Sequence, residues 1–221
     1  MSKFFNENDS QILEDILRLR RDVRGNRFTD QAISTESIEK LLNAALYAPS
    51  VGFSQPWQFV VIRDQQVKQK VYQSFQQAQA KESAHFSGQK KQDYQALKLE
   101  GIIEAPVNIA IFYQAQNKPV LGQTNMKDMG RFSVVCAIQN LWLMARALNI
   151  GVGWVSIINP DDVKQAVNAQ DDAELIGYLC IGYVNEFLDE PELQTLGWEQ
   201  KKQRQETVYF DQFPANSLEK S

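Results

Sequence analysis

The chain has 221 residues, 43% of them hydrophobic, and a formal net charge of -4. That length supports one sizeable core, and the acidic balance argues against a nucleic-acid partner, whose backbone wants Lys and Arg clustered over a broad surface. No apolar run approaches the roughly 20 residues that span a bilayer and Met1 to Ser10 carries no signal-peptide core, so no membrane partner is expected and the expected compartment is the cytoplasm.

Taken in chain order, residues 10–20 read as a first helix, with Ser10 as cap and Ile12, Leu13, Ile16 and Leu17 as its apolar stripe. The basic turn Arg20-Arg21-Asp22-Val23-Arg24-Gly25 follows. A second helix starts at Ser34 or Thr35, carries Ile38, Leu41, Leu42 and Ala45, and stops at Pro49. After the loop 49–56, Trp57 to Ile62 reads as a buried strand. Residues 65–80 predict a helix with Val67, Val71 and Phe75, and from Gln76 to Tyr94 a stretch rich in Gln, Lys, Ala and Ser reads as a long surface helix or a mobile cover. Val107 to Tyr113 is a second strand. Ser133 to Asn149 predicts a long helix, buried nearly all round because Val135 and Trp142 add a second apolar face. Trp154 to Ile158 and Leu175 to Tyr183 are further strands, with a short helix opened by Pro160 between them. Residues 184–221 are polar, with too few apolar anchors for a core of their own. Four strands among long helices give an α+β layer architecture in a single domain, 1–221.

The composition narrows the chemistry. A single histidine, His85, lies in a polar segment and reads as solvated. No metal site is expected, since His-rich sites need more imidazoles, and a Ser-His-Asp hydrolase would have only His85 as base. Cys136 and Cys180 form no CxxC pair and read as two buried free thiols. Neither a G-x-G-x-x-G after a strand nor a P-loop is present. An enzyme of this composition borrows its hard chemistry from a cofactor.

Four clusters remain. Arg20, Arg21 and Arg24 suit a phosphate, or a solvated basic loop, and Asp22 among them is out of place in a simple phosphate cradle. The loop Pro49 to Trp57 offers backbone N–H groups, Ser50 and Gln55 to a planar polar ligand. Gly151 and Gly153 permit close backbone approach, and Ser156 falls in an otherwise apolar strand where its hydroxyl needs a partner. Lys201-Lys202-Gln203-Arg204 is a second basic cluster in the tail. Together they fit a planar phosphorylated ligand such as FMN.

The segments Arg20-Arg21-Asp22-Val23-Arg24, 48–57, Leu99-Glu100-Gly101-Ile102, 139–142 and 151–156 resemble, in order, the 5,6-dimethylbenzimidazole synthase branch of the FMN-dependent nitroreductases. The resemblance implies a mixed sheet flanked by helices in a homodimer, each C-terminal tail (184–221) embracing the partner, with FMN at the interface. It implies that reduced FMN, supplied by a separate flavin reductase, is the substrate. With O2 it is fragmented to 5,6-dimethylbenzimidazole and erythrose 4-phosphate, for the lower ligand of vitamin B12. Arg20, Arg21 and Arg24, with Val23 between them, would hold the flavin phosphate and polar edge. Ser50 and Gln55 would contact the ring, Asp22 would be the acid/base, Ser156 would assist beside it, and 76–100 would be a lid. The family's tail arginine is matched by Lys201, without the proline that usually follows. The alternatives are an NAD(P)H-dependent nitroreductase or quinone reductase, and a non-catalytic FMN carrier or sensor.

Overall fold

The computed structural model describes residues 3–214, so the end of the expected tail, 215–221, lies outside the described residues. These form two compact units, Met1–Phe187 and Leu188–Ser221. The first contains α1 (Glu7–Leu19), α2 (Thr35–Leu46), β1 (Trp57–Ile62), α3 (Gln65–Ser83), α4 (Gly88–Ala96), β2 (Val107–Gln114), α5 (Met129–Ala147), β3 (Ile150–Val155), α6 (Pro160–Ala166) and β4 (Ala173–Tyr183). The second carries one helical turn, α7 (Glu192–Thr195), and a 3-10 turn at Arg204–Glu206.

The sheet order is β1-β2-β4-β3, every ladder antiparallel. Its parallel component is a bridge between Asp22 and Val152, beside the edge strand β3. Side chains alternate across a strand, and both faces are covered. Val107, Ile109, Ile111, Leu179 and Ile181 pack against α2 and α5. Ala110, Phe112, Tyr178 and Cys180 pack toward α3, α6 and Val23. This is the expected α+β layering, with helices on both sides. No helix of the described residues is long and apolar enough to cross a membrane.

Several local expectations change. Asn6, not Ser10, caps α1, because its side chain and that of Asp9 exchange hydrogen bonds with each other's backbone N–H. The 76–94 stretch is two helices, α3 and α4, broken at residues 84–87. Within α4 only Tyr94 is buried, stacked on Phe86 at 4.9 Å, and burial followed by Glu82 pushes its phenol up to about 12. Helix α5 is not buried all round: residues 132, 135, 136 and 139 share the stripe turned away from α2 and the sheet. Phe132 is 50% and Val135 41% exposed. Cys136 lies on that stripe and is exposed, so only Cys180 is the buried thiol expected of both. Burial raises the Cys180 thiol far above its ordinary range. His85 is exposed, as expected.

Strand β3 starts at Ile150 rather than Trp154 and runs through both glycines. They do not end the element. They bare its surface, because a Cβ on Gly151 would lie 2.4 Å from Val184 and one on Gly153 2.1 Å from the Val23 carbonyl. The first unit also runs past Tyr183: Val184 bridges Phe28, Asn185 donates its N–H to the Arg27 carbonyl, and Phe187 stacks on Arg146.

Candidate functional site

The basic turn is built by the way α1 ends. Arg20 leaves helical geometry (φ -65°, ψ 133°) and the chain becomes extended. It then runs parallel to β3, with the Val23 N–H donating to the Val152 carbonyl at 3.0 Å. In an extended chain neighbouring side chains point opposite ways. Val23 enters the core at 2% exposure, so Asp22 and Arg24 share the other face. There they form an ion pair through Arg24 Nη2 and Asp22 Oδ2. The other carboxylate oxygen, Asp22 Oδ1, accepts the Trp154 N–H at 3.0 Å. Gly153 is what admits this close approach.

Around this carboxylate stand further guanidiniums. Arg20 lies over the Trp142 ring at 4.7 Å. Burial draws its pKa down, with Asp22 opposing and Arg21 adding to the fall. Arg21 Nη1 donates to the carbonyls of Arg18 and Arg20 at the C-terminus of α1, where a cation is favoured. Its own carbonyl accepts the Trp142 indole N–H at 3.3 Å. Arg146, from the last turn of α5, donates to the Leu19 carbonyl at 3.0 Å and stacks on Phe187 at 4.1 Å. Burial first, then Arg21, pushes Arg146 down as well. Arg20, Arg21 and Arg146 are thus like charges gathered in half-buried surroundings, an arrangement that an anion relieves. Sequence reasoning passed over Arg146, although an arginine in the last turn of a long helix with a large apolar face is a usable signal.

Arg24 is turned toward the protein's own groups. Besides Asp22, it serves the Leu99 carbonyl through Nη1 at 2.9 Å and is only 15% exposed. The next residue, Gly25, donates its N–H to the Glu100 carbonyl at 2.8 Å. The segment quoted for its resemblance, Leu99-Glu100-Gly101-Ile102, therefore has a structural task beside the arginines. Ser156 lies two residues beyond Trp154, just past the end of β3. It is exposed rather than buried within a strand, so the hydroxyl has solvent for a partner and faces no unmet need inside the core.

The loop with Ser50 and Gln55 sits elsewhere. The Val51 N–H donates to Ser133 Oγ at 3.1 Å, which ties the loop to the N-terminal end of α5. The Gln55 N–H closes the loop onto Ser50 Oγ at 3.1 Å. Gly52, Phe53 and Gln55 all have positive φ, of 54°, 52° and 47°. Gln55 borders a cleft shared with Leu42, Leu46, Trp57 and Phe59. Ser133 and Trp142 are nine residues apart, roughly 13 Å along the helix at 1.5 Å per residue. One chain therefore brings Arg20, Arg21, Asp22, Val23, Arg24 and the β3 end together and holds Ser50 and Gln55 at the opposite end of α5. Lys201 is exposed on the second unit, Leu188–Ser221. Among the described residues no group of His, Cys, Asp and Glu is arranged to hold a metal ion.

Residues 17–183 match the nitroreductase family, and the chain belongs to it. Within that family it is close to the 5,6-dimethylbenzimidazole synthases. The enzyme of that name from Rhodospirillum rubrum is 39% identical over 192 residues, covering 86% of this chain and 90% of its own. One from Rhodobacter capsulatus is 35% identical, over 89% of this chain and 95% of its own. Among solved structures, a BluB-like flavoprotein from Clostridium difficile 630 superposes with a TM-score of 0.69 at 23% identity, over 90% and 99% of the two chains. An iodotyrosine deiodinase bound to FMN and 3-iodo-L-tyrosine reaches a TM-score of 0.71 at 21% identity, over 91% and 100%. These two likenesses establish the shared fold.

Proposed function

We propose that the protein is a 5,6-dimethylbenzimidazole synthase: with O2 it fragments reduced FMN, delivered by a separate flavin reductase, to 5,6-dimethylbenzimidazole and erythrose 4-phosphate. The observation that carries the reading is Asp22. A carboxylate in the middle of a basic motif, oriented by the Trp154 N–H and the Arg24 guanidinium beside the end of β3, is poorly explained as part of a plain phosphate cradle. It is well explained as a group that moves protons, in a chain 39% identical to an enzyme of that name.

The residues fit a phosphorylated flavin. Arg20 and Arg21, with Arg146 behind them, gather positive charge that suits the phosphate. The bound flavin supplies the redox chemistry with O2. Asp22 holds or moves a proton at the reacting ring, and the Ser156 hydroxyl, two residues beyond the Trp154 whose N–H holds Asp22, hydrogen-bonds beside it. Ser50 and Gln55 meet the ring from a second copy of the chain, since within one copy they lie at the far end of α5. Unpartnered apolar surface supports this homodimer. Helix α1 buries no residue, leaving Ile12, Leu13 and Leu17 about half exposed, and Phe132 and Val135 line the open stripe of α5. In this reading the tail, with Lys201, embraces the partner, 76–100 is a lid, and the enzyme is cytoplasmic.

The experiment is an aerobic incubation of the purified protein with FMN and a separate flavin reductase, followed by mass analysis. Formation of 5,6-dimethylbenzimidazole with loss of flavin is expected. Asp22→Asn should keep FMN bound while lowering product formation by about 100-fold or more. Intact, merely reoxidised flavin from the wild-type protein would sink the reading. A quinone-dependent consumption of NAD(P)H would then favour an ordinary nitroreductase, and tight binding without turnover a carrier.

A further inference from the structure

We infer that Ser74, on α3, is a positioning residue that sets the turn carrying Ser156, so that this hydroxyl and the cover are mounted on one helix; this rests on the reading of Ser156 as the hydroxyl that stands beside the flavin. The Ser74 side chain is buried, at 3% exposure. Its hydroxyl donates to Asp162 Oδ2 at 2.6 Å and accepts the Asn159 N–H at 3.0 Å. Serine in a helix interior commonly returns its hydroxyl to its own helix or gives it to water. This one spends its donor and an acceptor on another element, a double use that Ala in its place would abolish. The bond to Asp162 is a short one to a carboxylate, the stronger kind. Asp162 lies in the first turn of α6, and Asn159 caps that helix by accepting the Asp161 N–H at 3.0 Å. Pro160, next in the chain, favours the extended backbone that Asn159 adopts (φ -81°, ψ 121°).

The span that bears Ser156 is thereby fixed at both ends. Upstream, the Trp154 N–H sits on Asp22 Oδ1, and the buried Val155 pairs with Tyr178 at the end of β3. Downstream, the Asn159 N–H rests on Ser74. Ile157 and Ile158 pack against the cluster that joins Val71 and Phe75 of α3 to Val163 and Ala166 of α6. Ser156 is the exposed residue of the three between Val155 and Asn159. Where its hydroxyl points is set by the two anchors, one on Asp22 and one on Ser74. The same helix holds the cover. Helix α3 runs on to Ser83 and passes through the break at 84–87 into α4. Beyond α4 the chain tightens into a polar knot at 98–104, where the Glu100 carboxylate accepts the Ile102 N–H at 2.7 Å and the Lys98 ammonium at 2.5 Å. It leaves the knot at Ala105 and Pro106, whose carbonyls accept from Lys68, earlier on α3. Helix α3 therefore holds the chain on both sides of the cover and, through Ser74, the turn of Ser156.

The test is a double-mutant cycle in the full-length protein: Ser74→Ala, Ser156→Ala and both together. In Ser74→Ala, FMN affinity, read by quenching of flavin fluorescence, should stay within about threefold of wild type, while product-forming kcat falls about tenfold with KM little changed, the mark of a misplaced group rather than a lost ligand contact. Adding Ser74→Ala to Ser156→Ala should lower kcat by less than about twofold more, because the residue acts through a hydroxyl that is already gone. Native-state amide exchange at Asn159 should quicken by about tenfold in Ser74→Ala as the anchor is released. The visible circular dichroism of bound FMN should change alike in the two single variants and no further in the double. Fully additive losses in the cycle would make Ser74 a fold-stabilising residue only and overturn the inference. Unchanged exchange at Asn159 overturns it equally, as does a Ser156→Ala protein that matches wild type in both turnover and flavin spectrum. The exchange and dichroism arms need no turnover, so they decide the role of Ser74 even if the wild-type protein forms no benzimidazole, an outcome that would refute the proposed function instead. Should Ser74→Ala prove insoluble, Asp162→Ala takes its place in the cycle and removes the acceptor that orients the Ser74 hydroxyl.

Discussion

The two ends of α5 carry the two halves of the candidate site in opposite states. At the C-terminal end, Trp142 and Arg146 hold Arg20, Arg21 and Leu19, and the extended Asp22-Val23-Arg24 is fixed to β3 on one side and to the 98–104 knot on the other. At the N-terminal end the 49–56 loop hangs on Ser133 and its own Ser50–Gln55 link, with two non-glycine residues at positive φ and Phe53 82% exposed. Left-handed backbone costs such residues about 1–2 kcal/mol each. Such strain persists where the surroundings impose it, and it clusters at functional sites. The arginine end is organised by its own chain. The loop end presents itself outward, with Phe53 in solvent.

The largest way to break this comparison is to press on the arginine end from below. Gly153→Val puts a side chain where even a Cβ lies 2.1 Å from the Val23 carbonyl. That atom is backbone and cannot swing aside, so the extended segment must lift off β3. The expected loss is at least about 3 kcal/mol of stability in urea titration, with FMN binding lost as well. The Trp142 indole N–H, bonded to the Arg21 carbonyl, should shift in the NMR spectrum. A stable variant with that resonance unmoved would show that the arginine end is not held by β3.

A milder change sharpens the contrast from the other side. Gly52→Ala meets a φ of +54° and places a Cβ 2.8 Å from the Leu121 carbonyl. About 1–2 kcal/mol of destabilisation is expected, confined to the loop: Trp57 should respond and the Trp142 indole N–H should not. Movement of both would mean that the two ends are coupled through α5, which would refute their independence.

How much of this was legible depends on whether the signal was local. The periodicity of Ile38, Leu41 and Ala45 and the cap Ser34 gave α2 because helix spacing and capping are properties of neighbours in sequence. The glycines of β3 showed that backbone would approach, and the approaching backbone proved to be that of Val23. Their partner, some 130 residues away, was not readable. For the same reason the bond from Arg24 to the Leu99 carbonyl, 75 residues distant, was not readable. Ser156 and Cys136 were misplaced by one rule, that apolar neighbours imply burial. β3 ends one residue before Ser156, and Cys136 lies on the exposed stripe of α5.

The smallest effect tests the far anchor of the arginine end. Lys68 on α3 is fully buried, and its Nζ donates to the carbonyls of Ala105 at 2.6 Å and Pro106 at 3.1 Å, where the 98–104 knot passes into β2. Burial lowers its pKa, with the neighbouring Cys180 opposing. A neutral amine has two donors for these two carbonyls and needs no counterion, whereas a buried ammonium would lack one. The folded chain therefore releases this proton at a pH where the unfolded chain still holds it, up to about 10.4. In that window the unfolded state binds more protons, so stability rises with pH by this contribution and is at its least below the lowered pKa. Urea titrations of wild type and Lys68→Met should diverge as pH climbs toward 10, the wild type gaining on the variant. A difference that stays flat or shrinks would mean that Lys68 is held as a cation, and that the knot is anchored by charge rather than by two hydrogen bonds.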